Sequence, residues 1–570
     1  MNLFKKLLLA VPVLFMAACA DLDELLVNPN GVDPGEADAE SLYNNIQLQF
    51  TSVQRTPYFF SAGLVRMDAE TGGFVYAETT SPTEFDGLWT TFYAGLLPDI
   101  QAFLDIVEPL GLDGAAASAK IMEAQAYMIM VDLFGDIPRA EAGDAGGETG
   151  NINPVADTGE DVYAYALNRL DEAIMQLDSA ENFDIAFDNF YGGNVARWTT
   201  LAKTLKLRAS ITTRLVGTGP SIQGLVDDGD LIDENNENWE WKYGTNRNNP
   251  NNRHPFYNDS YEAEDGSYQS TWYMWLLAES KGFPDPRARY YFYRQDKNIF
   301  PDAVEDDPNA FDCIFTDLPN PDVIPPQYEA ISDAMPYCLG SYSQGYFGRD
   351  HLNGSGIPPD GQYRTLFGLY PAGGAYDDGI TNSTVNDDGT SGAQGAGIEP
   401  IWQASFTHFV LAEAALTTDF DGDARQLLAD GIELSIDRVR QFEDLVDGGE
   451  VVATVPVETT VEDTYTSDSL VQEYIEYVLD EYDDASDNRK LAIVAREYMI
   501  ALYGNGMEAY NLYRRTCYPS GLQPGIDPNY GDFLRSALYP AVYVNRNLNA
   551  TQKSTSDPIF WHTNDGSCNY

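Results

Sequence analysis

Three stretches of this chain carry apolar residues on one face at helical spacing, and each such stripe needs a partner helix to cover it. After Asp161 the stripe falls at Val162, Ala166, Leu170, Ala173, Ile174 and Leu177. After Asp423 it falls at Ala424, Leu427, Leu428, Ile432, Ile436 and Val439, and after Lys490 at Leu491, Val494, Ala495, Tyr498, Met499 and Leu502. Further helices are expected over Leu42–Val53, Leu88–Ile106, Ile121–Phe134, Arg197–Leu215 and Ser405–Leu416. Helix pairs joined by short links predict a mostly α fold, a helix-hairpin scaffold of tetratricopeptide type, although no fixed repeat period can be traced. The scaffold is expected mainly within residues 40–216 and 400–516.

From about Asp227 to Pro400 the pattern changes. No stripe is sustained, and WEWKYG, HPFYNDSY, YQSTWYMWLL and GQYRTLFGLYPAGGAYDDG alternate aromatics with turn formers. A long irregular stretch inside a compact protein is either disordered or functional, and aromatics at this density argue against disorder. The helices therefore read as scaffold and this loop-rich, aromatic-rich region, about 227–400, as the ligand-facing surface.

The amino terminus, MNLFKKLLLAVPVLFMAACADLDE, has a positive n-region at Lys5 and Lys6 and an apolar run from Leu7 to Phe15 too short to span a bilayer. Small residues then precede Cys19, the pattern cut by a lipoprotein signal peptidase. Residues 1–18 are expected to be removed and Cys19 to carry acyl chains, which anchor without spanning. An ordinary secretory signal with a chance cysteine is the alternative. After it, no run is apolar for long enough to cross a membrane; the longest, around Ile121 to Phe134, is interrupted by Glu123, Gln125 and Asp132.

Asp and Glu number 89 against 33 Lys and Arg, a net charge of −56. A field of that sign repels nucleic acid and anionic lipid, so neither is expected as a partner. Besides Cys19 the chain has Cys313, Cys338, Cys517 and Cys568. In an oxidising compartment four cysteines allow three pairings; proximity favours Cys313–Cys338 and Cys517–Cys568, with free buried thiols the alternative. Their spacing matches no zinc pattern, and His254, His351, His408 and His562 stand far apart in sequence, so no metal and no cofactor is expected.

Four motifs, in order and in register with the Cys19 signal, carry a resemblance. EAQAYMIMVDLFGDIPRAEA runs from Glu123 to Ala142, and DNFYGGNVARWTTLAKTLKLRASI from Asp188 to Ile211. FPDPRARYYF spans Phe283 to Phe292, and MEAYNLYRRTCYP, Met507 to Pro519, leads to LRSALYPAVYVNRN, Leu534 to Asn547. Together they resemble the SusD/RagB family of nutrient-binding outer-membrane lipoproteins, especially its SusD-like branch, which also shows a stretch like GRDHLNGSGIPPDG. The likeness runs from Cys19 to about Trp561 and implies one SusD-like domain over 19–570. It further implies a surface-exposed lipoprotein, anchored in the outer membrane through Cys19, that captures an oligosaccharide and delivers it to a SusC-like TonB-dependent transporter. Some members take a peptide instead, and members are not enzymes.

Sugar capture needs flat apolar faces ringed by groups that replace water's hydrogen bonds. Arg66, Asp68, Phe74 and Tyr76 follow the first helix, in a stretch that lines the ligand face in the relatives. Trp272, Tyr273 and Trp275 cluster in one run, and Tyr342, Tyr346, Tyr363, Tyr370 and Tyr376 punctuate a Gly-rich segment. Taken singly, an aromatic more often packs in the core or meets the transporter than a ligand, with Trp272 and Trp275 evenly balanced, whereas Trp89 and Trp198, on helical stripes, are assigned to the core. Gly135-Asp136-Ile137-Pro138 reads as a helix stop, Arg514 and Arg515 with Glu508 as an internal ion-pair network, and the acids Asp419 to Asp430 as a cap on the Ala424 helix rather than a calcium loop. A secreted glycan-degrading enzyme is the alternative from another class, but no catalytic signature surrounds any pair of acids. Cys19→Ala is expected to move the protein from the membrane to the soluble fraction on cell fractionation, with ligand affinity intact.

Overall fold

The computed structural model describes residues 38–142, 151–262, 267–297, 324–337, 344–354, 361, 363–379, 389–445 and 468–563. The signal and Cys19, together with Cys313, Cys338, Cys568 and Tyr342, lie outside the described residues. Among those described, the long helices are α1 (Ala39–Leu64), α2 (Leu97–Val107), α3 (Asp113–Phe134), α4 (Gly159–Ser179), α5 (Val195–Thr212), α6 (Thr271–Ala278), α7 (Ala404–Thr417), α8 (Ala424–Arg440), α9 (Asp468–Asp483), α10 (Asp487–Ala501) and α11 (Gly506–Thr516). Consecutive helices pack as pairs: α2 on α3, α3 on α4, α4 on α5, α7 on α8, and α9 on α10. The fold is mostly α and tetratricopeptide-like, as the one-sided stripes require. No helix among the described residues is long and apolar enough to cross a membrane.

Local chemistry sets the helix starts. Thr158 accepts the Asp161 N–H at 3.2 Å and donates its hydroxyl to the Asp161 carboxylate at 2.7 Å, a reciprocal cap that opens α4. Asp423 accepts the N–H groups of Arg425 and Gln426, each at 3.1 Å, so this acid-rich turn caps α8 as expected. At the end of α3, Gly135 takes φ +81° and Asp136 accepts the Gly159 N–H at 2.8 Å. The GDIP turn thus ties the end of one helix to the start of its partner.

Several boundaries differ from the periodicity. The expected helix over Leu88–Ile106 is three pieces, with a wide π turn at Phe92–Leu96 ahead of α2. Pro98, in the first turn of α2, has no N–H to give to the preceding turn, which loosens the ladder there. Conversely, α1 runs past Val53 and through Pro57, because its last turns are buried against α11. Gly506 permits that contact: a Cβ there would stand 2.2 Å from the Tyr58 carbonyl oxygen. The helix α9 adds to the predicted set although its stripe at Val471, Tyr474, Ile475, Val478, Leu479 and Tyr482 is regular.

The irregular region leaves and rejoins the scaffold at one place. Strand β1 (Trp239–Lys242) pairs antiparallel with β4 (Ile398–Trp402), matching Trp241 with Glu399 and Lys242 with Ile398. Trp239 stacks on Phe50 of α1 at 5.2 Å between ring centroids, fixing this ribbon to the helices. Inside the region β2 (Phe292–Tyr293) pairs with β3 (Leu366–Phe367).

Charges no water reaches lock the helices together. Asp132 on α3 pairs with Arg208 on α5 at 2.6 Å, Arg208 with Glu508 on α11 at 3.2 Å, and Arg515 with both Glu508 and Glu413 on α7 at 3.0 Å. Arg515 is therefore a network residue, as expected, while Arg514 lies over the Tyr510 ring at 3.7 Å. Trp198 is fully buried, its indole N–H on Asp188 at 2.9 Å, and Trp89 is buried as well. Removing one member of a buried charge set strands the rest, at a cost of about 3–5 kcal/mol. Asp132→Ala, which also takes the acceptor from Asn511 and Trp561, is expected to lower the unfolding free energy by about that amount in urea titrations.

Candidate functional site

Two of the aromatics singled out in the sequence share a cleft. Helix α6 starts at Ser270, whose hydroxyl accepts the Tyr273 N–H, and is apolar nearly all round. It therefore sinks into the protein, with Trp272 only 1 % exposed and its indole N–H bonded to the Gly521 carbonyl at 3.1 Å. Trp275, one turn on and half-buried, joins it along a cleft of about 600 Å³. The opposite side is built by Ile331, Ser332 and Met335, and by Pro519, Ser520 and Gly521 beyond α11. The α9–α10 hairpin supplies Glu481, Arg489 and Arg496. Volumes of about 300–1,000 Å³ are usual for small-molecule sites.

The charged edge is rigid. Glu481 accepts from Arg489 at 2.9 Å through one carboxylate oxygen and from Arg496 at 2.9 Å through the other. Arg496 also reaches Glu497 at 3.1 Å, and behind it Lys281 and Arg287 each bond Asp285 at 2.7 Å. Burial alone would push the Asp285 carboxyl up, but Arg287 and Lys281 outweigh it and hold it well below the usual carboxylate range. Glu497, with Lys281, Arg496 and Arg287 around it, is held down in the same way against the effect of burial. The wall behind the cleft is thus a set of fixed ion pairs that orient Arg496.

Arg66 and Tyr76 brace the same neighbourhood from behind. Arg66, at φ +61° just past α1, donates to the Leu64 carbonyl and, at 2.8 Å, to the Gln523 carbonyl. Trp272 and Arg66 therefore hold Gly521 and Gln523, two residues apart on one segment. The Tyr76 hydroxyl bonds His351 Nε2 at 2.9 Å, and the Tyr76 N–H reaches the Tyr530 carbonyl at 3.0 Å. Both side chains are buried and support the wall rather than line it. Asp68 is half-buried beside a small recess of about 20 Å³ between Arg55, His254 and Glu399, room for one water and too small for a nutrient.

The remaining candidates are dispersed, and the picture of tyrosines displayed from a Gly-rich loop needs correction. Tyr273 is 0 % exposed, with its hydroxyl on the Met499 carbonyl at 3.0 Å and its ring stacked on Tyr503. Tyr370 stacks on Tyr291 and takes the Gln403 amide at 3.1 Å; Tyr346 packs against Phe292 beneath Arg294. All three belong to the core. Tyr376 is half-buried against Tyr290, Tyr363 against Tyr268 and Phe347, and Phe74 is half-buried beside the Glu78 side chain that accepts its N–H. The glycines serve close approach, not display: at Gly373, with φ +69°, a Cβ would stand 2.7 Å from the Ala396 nitrogen. Burying flat rings is the larger energetic gain once the backbone is free to wrap onto them.

Sequence reading missed Glu481, Arg489 and Arg496. The available signal was the spacing of Arg489 and Arg496, two turns apart on one face of α10. Cys517 is disulfide-bonded, its partner lying outside the described residues. Among the described residues no three His, Cys, Asp or Glu side chains are placed to hold a metal ion.

Comparison with known proteins adds the following. A SusD-like family model, described as starch-binding associating with outer membrane, matches residues 32–303. A second, described as SusD and RagB outer membrane lipoprotein, matches residues 395–540. No curated protein matches the chain. The fold is similar to that of a SusD homolog from Bacteroides fragilis NCTC 9343, with 16% identity, 92% of this chain and 99% of that chain covered, and a TM-score of 0.62. A SusD/RagB family protein from Bacteroides thetaiotaomicron VPI-5482 gives the same four values. A chitin-binding protein is similar at 17% identity over 91% of this chain and 99% of that chain, with a TM-score of 0.58.

Asp68 carries a pH prediction. Burial, aided by Asp259 and Glu70 and opposed by the Ala69 N–H, raises its carboxyl from the usual range to about 8. A folded-state value above the unfolded one stabilises fully below about pH 4 and loses that contribution as pH rises towards 8. Asp68→Asn, which cannot ionise, is therefore expected to gain Tm over the parent progressively across that window, with no further gain above about pH 9; thermal melts between pH 4 and 9 test this.

Proposed function

The chain belongs to the SusD/RagB family of outer-membrane lipoproteins, and from that premise we propose that it holds an oligosaccharide in the Trp272–Trp275 cleft and passes it to a SusC-like TonB-dependent barrel transporter. Tethering through Cys19 on the outer face of the membrane keeps the cleft close to that partner. Capture is passive: no bond in the sugar is broken.

One observation carries this reading. The cleft sets the half-buried indole of Trp275 beside a rim of guanidinium, carboxylate and hydroxyl groups, and its volume suits a short saccharide. A sugar ring has apolar C–H faces and hydroxyl edges, so an aromatic face with polar donors beside it satisfies both. Relatives agree in kind, one family being described as starch-binding and one similar structure as a chitin-binding protein. A peptide would rely on backbone hydrogen bonds, and the cleft presents side chains.

Affinity electrophoresis against polysaccharides should show retarded migration without release of reducing ends. Trp275→Ala is expected to weaken that binding by about tenfold, or about 1.4 kcal/mol, with little change in Tm. Retention by peptides alone, or sustained product release, would overturn the reading.

A further inference from the structure

Resting on the reading of this cleft as a saccharide site, we propose that it selects sugars bearing an oxyanion, a carboxylate or a sulfate ester, and that Arg489 is the group that pairs with it. The chain as a whole has 89 acids to 33 bases, yet the cleft is lined by Lys281, Arg489 and Arg496 against Glu481 alone. The local balance is inverted relative to the rest of the molecule. Adding the partners behind the wall, Arg287, Asp285 and Glu497, still leaves four cations against three carboxylates.

The cation in excess is the accessible one. The Arg489 side chain is 65% exposed, and its bond to Glu481 uses one Nη2 hydrogen. A guanidinium has five N–H donors, so its remaining donors can form the paired, charge-assisted contacts that suit a carboxylate or sulfate. Glu481 has both oxygens occupied by arginines, which leaves it a poor acceptor for sugar hydroxyls and a well-neutralised neighbour for an anion. Arg496 is held by Glu481 and Glu497, which leaves Arg489 as the guanidinium open to a ligand. A protein so acidic has little general reason to place cations together at a surface opening beside the Trp275 indole. The negative field of the whole molecule is screened within about 8–10 Å at ordinary salt, whereas a hydrogen-bonded pair in the cleft is not.

The test uses the full mature chain and matched pairs of oligosaccharides: uronate-containing chains, their carboxyl-reduced neutral counterparts of the same linkage, and sulfated chains, titrated calorimetrically at one pH and salt. The acidic member of a pair is expected to bind at least tenfold tighter than its reduced partner. Arg489→Gln should bring that ratio close to one, while Arg425→Gln, which removes an exposed arginine that pairs with Asp483 and does not line the cleft, should leave it. Preference for the carboxylated or for the sulfated chains identifies the source of the oxyanion. Tight binding of the neutral forms with no acidic preference, or a preference untouched by Arg489→Gln, overturns this proposal and leaves the saccharide reading standing. No binding of any chain, with Trp275→Ala also silent, overturns both.

Discussion

Asp132, Arg208, Glu508, Arg515 and Glu413 form a chain of opposite charges, each in contact with the next, that no solvent reaches. It joins α3, α5, α11 and α7, helices drawn from both ends of the sequence. Arg214, just beyond α5, also pairs with Glu413 at 3.1 Å, so three acids face three arginines. Each charge removed from water must find its partner at one distance and angle, so the helices can meet in one register. Apolar stripes alone would tolerate slippage by a turn; this network does not.

The rest of the molecule hangs on that register. Because α11 is fixed against α1 and α5, the segment that follows it is delivered to one place, where Trp272 and Arg66 hold Gly521 and Gln523. The cleft forms between that segment and the α9–α10 hairpin, and buried pairs that join Lys281, Asp285 and Arg287, beyond α6, to Glu497 of α10 fix its inner wall. The aromatic region is a second core rather than a loose coat. Tyr291 and Tyr273 each stack on Tyr503, and the β1–β4 ribbon pins both ends of the region to the helices.

Much of this was legible residue by residue. The stripes beginning near Val162, Ala424 and Leu491 each became one helix, because a one-sided apolar pattern has few other ways to be buried. The GDIP turn, the Asp423 cap and the Arg515–Glu508 pair follow from chemistry acting over a few residues. The site was less legible. Trp275 was visible as a candidate, but Trp272 and Tyr273 beside it and Tyr370 further on are aromatics of the same kind and lie in the core. Which ring is covered depends on neighbours from distant parts of the chain, and local pattern holds no record of them.

By itself, then, the amino-acid sequence determined the helical architecture, the scarcity of positive charge, and the motifs that place the chain in its family, since these depend on spacing and composition. Tertiary structure alone decided that Arg489 and Arg496 share an opening with Trp275, more than two hundred positions earlier, and that Glu481 bridges the two arginines. Covalent proximity dictates hydrogen bonds within a turn. The composition of a binding cleft is set by how whole helices dock, and that is a sum over contacts far apart along the chain.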